Sequence, residues 1–298
     1  WAPAGAYRRG YLTSMPDSMD IVSMWSGAPG RFEITPEQKK DKEFVQKVKG
    51  TKLLEVTLLS YIGKGRAPAS VYAPVEKQAD EEGWSEQKLN EEKKKARWKF
   101  WGYEGVPDTP NHEEALARFA KALCDSLIVN EWDGYDIDWE IGSGVFDMDG
   151  SLSEDRHLAF LIKEMNKYIG PKSDPEGKGH KLNCIDGNFH SFVTSIPEYV
   201  DYFIIQSYGF STSLDSYAEP HKFITTENFE SYSLSGGSLL RQAAYMPEHG
   251  MKGGVGAFRM DNDYDNTPDY KWMREAIRIN QEVFNEWKEK QGAETPAK

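Results

Sequence analysis

Strand-like apolar runs alternate with amphipathic helical patterns along most of this chain, and no Gly-x-Gly-x-x-Gly turn interrupts them. Such alternation builds a parallel sheet covered by helices, and without a dinucleotide-type turn it favours a closed β/α barrel over an open sheet. A third observation agrees. At 133–140 the chain reads Asp133-Gly134-Tyr135-Asp136-Ile137-Asp138-Trp139-Glu140, alternating in character residue by residue as a strand does. The predicted class is α/β, a (β/α)8 TIM barrel with a long insertion at 61–111.

The elements follow in order. The opening Trp1-Ala-Pro-Ala-Gly lacks the charged and apolar regions of a signal peptide, as a mature or truncated chain also would. The first 18 residues offer no convincing strand, and only seven strands can be counted where eight are needed. Either the first is irregular or the chain begins just after it, and the second is the expectation. Strands are expected at 20–26, ended by Gly27 and Pro29, and at 52–60. The segment 61–111 is too long for an ordinary connection. It carries a charged helical stretch around 78–98 and then Trp98, Phe100, Trp101 and Tyr103. Such an insertion is a substrate wall or a structural flap.

A helix over 112–128 places Leu116, Phe119, Ala120 and Leu123 on one face. The acidic strand follows. A helix over 153–169 begins at Ser153, buries Leu158, Leu161, Ile162 and Met165, and stops at Gly170-Pro171. Further strands are expected at 181–186, 201–208, 222–226 and 253–259. The last helix is expected to open with Thr267 as cap and Pro268 in its first turn.

Composition narrows the function. The chain has 298 residues and a net charge of −12, which disfavours nucleic acid as a partner because phosphate neutralisation needs a basic surface. Lys93-Lys94-Lys95 and Arg97 follow Glu91 and Glu92 and read as a solvated helix face. No apolar run reaches the ~18 residues of a membrane span. Nine Trp, 15 Tyr and 14 Phe suit a carbohydrate binder as well as a well-filled core. Cys124 and Cys184 sit in apolar patterns as core residues. The six histidines, His190 among them, show no paired spacing for a metal, and no cofactor is expected.

The acidic strand carries the chemistry. Asp136, Asp138 and Glu140 share one face, while Tyr135, Ile137 and Trp139 share the other. Unpaired buried carboxylates are costly, and their pKa values rise or split apart. Where the pattern breaks after Glu140, the C-terminal end of a barrel strand should face the site mouth. Asp138 and Asp136 then lie progressively deeper, close enough to share a proton and to keep Glu140 ready as a donor. Asp133 falls outside this alternation and reads as a strand-start residue.

The octapeptide matches the Asp-x-x-Asp-x-Asp-x-Glu signature of glycoside hydrolase family 18, the chitinases and endo-β-N-acetylglucosaminidases. Gln206-Ser207-Tyr208 ends an apolar strand where the endoglycosidase branch places a Gln-x-Tyr pair. Residues 15–25 resemble the second barrel strand of Bacteroidetes endo-β-N-acetylglucosaminidases. Trp1 would then end a missing first strand. The resemblance spans nearly the whole chain, strongly at 131–141 and loosely elsewhere.

The resemblance implies a single catalytic barrel domain over 1–298. Glu140 resembles the general acid and base. Asp138 would orient the substrate's 2-acetamido group, which replaces a protein nucleophile, and Asp136 would tune Asp138. Tyr208 would join the catalytic set, with Gln206 beside it, holding the acetamide in place. Glu227 and Asn228 are candidates for sugar hydroxyls or for strand-end hydrogen bonds. Two departures stand out. Ser60-Tyr-Ile-Gly-Lys-Gly65 only loosely echoes the family's Ser-x-Gly-Gly, and Phe258-Arg-Met replaces the usual chitinase Trp. Phe258 is a candidate sugar platform or a core residue.

The implied activity is hydrolysis of the GlcNAc-β-1,4-GlcNAc core of N-linked glycans. A chitinase-like hydrolase and a non-catalytic glycan-binding barrel are the alternatives. The implied setting is a monomer, secreted by or anchored on a bacterial surface, with N-glycans or glycoproteins as its partners.

Overall fold

The computed structural model describes residues 11–25, 34–58, 67–140 and 155–294. Trp1, the segment 60–65, the break at 141–144 and the cap at Ser153 lie outside them. Seven strands are present among the described residues: β1 (Ile21–Met24), β2 (Lys52–Leu58), β3 (Gly134–Trp139), β4 (Leu182–Gly187), β5 (Phe203–Gln206), β6 (Phe223–Asn228) and β7 (Gly254–Phe258). The helices are α1 (Pro36–Phe44), α2 (Ala69–Glu82), α3 (Glu86–Trp101), α4 (Pro110–Val129), α5 (Asp155–Met165), α6 (His190–Ser195), α7 (Phe229–Tyr232), α8 (Leu239–Ala244) and α9 (Lys271–Glu294). The expected alternation of parallel strands and helices is there.

The chain divides into two compact units. One comprises Ser23–Glu33 and Leu54–Asp201. In it β2, β3 and β4 run parallel, with Leu58, Asp138 and Asp186 in one register and Val56, Asp136 and Cys184 in another. Gly134 starts β3 against β4 so closely that a Cβ there would stand 2.3 Å from the Leu182 carbonyl oxygen. Only glycine fits that approach.

One face of β3 is packed by helices. Tyr135 is fully buried and donates its hydroxyl to the Leu123 carbonyl of α4 at 2.9 Å. Trp139 meets Phe192 of α6 edge-on at 6.4 Å. α4 starts at the Thr109 cap with Pro110 behind it and buries Leu116, Phe119, Ala120, Leu123 and Leu127. α5 buries Leu158, Leu161, Ile162 and Met165, the face that periodicity predicts, but ends at Met165 rather than 169.

The long insertion holds two helices rather than one stretch. α2 ends at Gly83 (φ 64) and α3 restarts at the Ser85 cap. Its aromatics are mainly anchors: Trp101 and Tyr103 are buried, against Phe119 at 5.0 Å and His112 at 4.8 Å. Of that group Phe100 is exposed.

The other unit comprises Trp1–Val22, Ile34–Leu53 and Tyr202–Lys298. Here β5, β6 and β7 run parallel in chain order. Phe203 stacks on Phe223 at 5.4 Å, and Tyr217 stacks on Phe223 at 4.0 Å. α1 opens with a Thr35–Gln38 capping box. Its Asp41 carboxylate accepts the Leu12 and Thr13 amides at 2.6 and 2.9 Å, fixing the start of the described chain.

The last helix starts later than its Thr-Pro sequence suggests. Thr267-Pro268 is a cis peptide, Tyr270 takes φ 53, and α9 begins at Lys271. The cap is Asp263, a fully buried acid whose carboxylate accepts the Met273 amide at 2.8 Å and the Trp272 amide at 3.3 Å. A carboxylate among free helix N–H groups satisfies them and complements the helix dipole.

Candidate active site

The acids of β3 stand as the alternation demands. Asp136 and Asp138 are each 3% exposed, and Glu140, just past the strand, is exposed. Burial raises the Asp136 carboxyl above the usual range, partly offset by a hydrogen bond with Ser23. Burial also lifts Asp138, with the like charges of Glu140 and Asp136 adding to it, to about 7. Asp136 Oδ1 and Asp138 Oδ1 are buried and take no hydrogen bond from the described residues. A carboxyl that is half protonated at neutral pH can donate or accept a hydrogen bond as a reaction requires.

Two neighbours of this group are not apparent from the octapeptide. Ser23 of β1 meets Asp136. Asp186 is level with Asp138 in the β3–β4 register, so it projects from the same face. An acid at the C-terminal end of an apolar strand was the available signal. Gly187 (φ 91) brings β4 close, since a Cβ there would lie 3.6 Å from Asp138 Oδ1. Asp133 stands just before the strand, its carbonyl accepting the Leu182 amide at 2.8 Å.

The remaining candidates lie in the other unit, at the C-terminal ends of three consecutive parallel strands. Gln206 ends β5 and Tyr208 follows it, both half-buried. Phe258 ends β7 and stacks on Tyr208 at 6.0 Å and 29°. Asn228 ends β6 and caps α7, its side chain accepting the Glu230 amide at 2.8 Å. Glu227 is fully buried, and its carboxylate accepts the amides of Gly209, Asn228 and Ser238 at 2.7, 2.7 and 2.6 Å. Both side chains therefore make strand-end hydrogen bonds. His190 is exposed at the start of α6.

A histidine cluster that sequence spacing does not reveal lies beside α4. Asp108, His112 and His157 bring ligand-type atoms within 4.8 Å of one another. Asp108 Oδ1 meets His157 Nε2 at 2.8 Å, Arg156 pairs with the same carboxylate, and the Asp108 amide donates to His112 Nδ1 at 3.2 Å. Burial, then the charge of His157, hold His112 down at about 4. These contacts tie α4, α5 and the loop before α4 together.

The family model for glycoside hydrolase family 18, BT1044-like, matches residues 83–279, a stretch that contains every site candidate named above. No curated protein matches the sequence. Among solved structures, the selenomethionine form of BT1044 with a Glu-to-Gln substitution is similar over 94% of this chain and 85% of its own, at 25% identity and TM-score 0.69. The endo-β-N-acetylglucosaminidase of Cordyceps militaris in apo form is similar in fold over 89% and 82% of the two chains, at 18% identity and TM-score 0.55. A double mutant of that enzyme in complex with fucosyl-N-acetylglucosamine-Asn has the same coverage and TM-score at 17% identity. With its acid signature intact inside the matched residues, the chain belongs to glycoside hydrolase family 18, in the BT1044-like group.

Proposed function

We propose that the protein is an endo-β-N-acetylglucosaminidase that hydrolyses the GlcNAc-β-1,4-GlcNAc core of N-linked glycans with retention of configuration. The observation that carries this reading is the buried pair Asp136 and Asp138, with Asp138 raised to about 7 beside an exposed Glu140. In the first step Glu140 gives its proton to the glycosidic oxygen as the bond from that oxygen to the anomeric carbon breaks. The acetamido carbonyl oxygen of the same sugar forms the new bond to that carbon, and the protein-linked GlcNAc leaves with that proton as its 4-hydroxyl. Asp138 holds the acetamide N–H and, when ionised, balances the positive charge of the oxazolinium ring. In the second step the Glu140 carboxylate takes a proton from water. The water oxygen bonds to the anomeric carbon, the ring opens, and Glu140 is restored. Two inversions at one carbon leave its configuration retained.

Tyr208 and Gln206 hold the acetamide in this scheme, and the Gln-x-Tyr pair favours an endoglycosidase over a chitinase. Phe258, in place of the chitinase Trp, points the same way. The fold on this reading is of the (β/α)8 type, and the protein acts outside the cytoplasm on glycoproteins. The intact Glu140 argues against a binding protein that has lost hydrolysis.

Glu140→Gln is expected to abolish glycan release from a glycoprotein while leaving the melting temperature unchanged. Near-normal turnover in that variant would end the assignment. Parallel assays on chitin oligomers and on high-mannose, hybrid and complex glycoproteins separate the chitinase alternative, which requires preference for the oligomers.

A further inference from the structure

The turn after β5 is held more firmly than a surface connection needs. Glu227 is completely buried, and its carboxylate grips this turn through the Gly209 amide at 2.7 Å and the 235–238 turn through the Ser238 amide at 2.6 Å. The Ser238 hydroxyl lies 2.6 Å from Glu227 Oε2 and 2.7 Å from the Phe210 carbonyl oxygen, so its one proton serves both acceptors in turn. Gln242 Nε2 also donates to the Phe210 carbonyl, at 3.2 Å. The Phe210 amide closes the turn on the Ser207 carbonyl at 2.7 Å. Gly209 has φ 78, and a Cβ there would stand 3.0 Å from the Tyr232 hydroxyl, so glycine is required.

The side chain that this support holds up is 73% exposed. Scattered apolar side chains are ordinary on protein surfaces. Phe210 differs in two ways. A buried carboxylate fixes its backbone, and it sits just past Tyr208 at the C-terminal end of a parallel strand, the edge where barrel enzymes assemble their sites. An aromatic ring carried on a fixed backbone has only its two side-chain torsions to lose when a ligand covers it. Its apolar plane matches the C–H face of a pyranose. Phe258, also at this edge, is half-buried and stacks on Tyr208.

We propose that Phe210 is a sugar-stacking platform for the glycan, held out by Glu227 as a positioning residue. This rests on the glycan-hydrolase reading above. The platform takes a GlcNAc or mannose ring of the substrate, and Glu227 acts only through the turn.

The test uses the full chain with Phe210→Ala, Phe210→Trp and Glu227→Gln, on chitin oligomers and N-glycopeptides. Turnover is measured alongside saccharide binding by fluorescence titration. Phe210→Ala is expected to raise KM about tenfold, roughly 1.4 kcal/mol, with kcat nearly unchanged and the melting temperature that of the wild type. Phe210→Trp should restore KM. Glu227→Gln turns an amide N–H toward a backbone donor, so it should raise KM and also lower kcat through Tyr208. An unchanged KM in Phe210→Ala overturns the platform even if hydrolysis is confirmed. If the wild type cleaves none of these substrates, the hydrolase reading fails and binding decides the platform. It stands if Phe210→Ala weakens wild-type binding, and it falls if the two bind equally or the wild type does not bind.

Discussion

The indole N–H of Trp139 donates to the Asp155 carboxylate at 2.9 Å, joining the packed face of the acidic strand to the first turn of the helix after it. Ser191 of α6 donates to the same carboxylate. With the indole tied to the helical side, Asp138, the residue before it in the strand, turns to the opposite face. Trp139→Phe keeps a ring there and deletes the donor. It should lower stability by about 1 kcal/mol, or about 2–4 °C in melting temperature. Thermal denaturation is the check, and an unchanged melting temperature would show that the tether contributes nothing.

Asp138 sets a pH dependence with a defined sign. Its carboxyl titrates near 7 in the folded chain, against an ordinary value of 3.8. Between those values the folded state keeps a proton that the unfolded state has released. Stability from this residue is therefore full below the lower value and falls as pH rises to about 7. Asp138→Asn cannot ionise, so its melting temperature should drop less than that of the wild type between pH 5 and pH 8. Equal drops would mean that Asp138 is not held up by burial.

His112 works in the opposite direction. Its folded value of about 4 lies below the ordinary 6.5, so the unfolded chain takes up a proton that the buried ring refuses. Stability from this residue is present above about 6.5 and is lost as pH falls toward 4. Asp108, Arg156 and His157 are the charged groups that act on it. His112→Phe should be less stable at pH 7, because the Asp108 amide loses its acceptor, yet its melting temperature should change less between pH 7 and pH 5. A steeper change in that variant would contradict the assignment.

Tyr208→Phe preserves the ring that stacks on Phe258 and removes the hydroxyl. Loss of a group that positions a reacting acetamide is expected to lower kcat by about 10- to 100-fold without lowering the melting temperature. Steady-state kinetics on a released N-glycan reads this directly. An unaltered kcat would take Tyr208 out of the catalytic set.

The acidic strand was legible because period-two alternation survives translation into structure residue by residue. Asp136, Asp138 and Trp139 stand on the faces that it dictates. The apolar stripe of α5 was equally plain, since Leu158, Leu161, Ile162 and Met165 repeat at helical spacing. The start of α9 was not, because its cap is Asp263, which reaches the helix across an intervening loop that no local motif describes. The position of Glu227 near a strand end left a sugar contact and a strand-end hydrogen bond equally open. Its burial depends on Gly209 and Ser238, which are distant in sequence. Whether the insertion's aromatics line a wall or anchor a flap was open for a similar reason, as Phe119 and His112, which cover Trp101 and Tyr103, come from the next helix.

Gly134 reacts with nothing, yet the orientation of the acids depends on it. One added methyl would collide with the Leu182 oxygen, and the two ribbons could coexist only by parting or by sliding past each other. A slip of a single step would exchange inside for outside along the whole segment, sending tyrosine and tryptophan toward the solvent side of the reaction and the carboxyls into the oily layer. Asp136 and Asp138 are thus aimed by a missing side chain at the start of their strand.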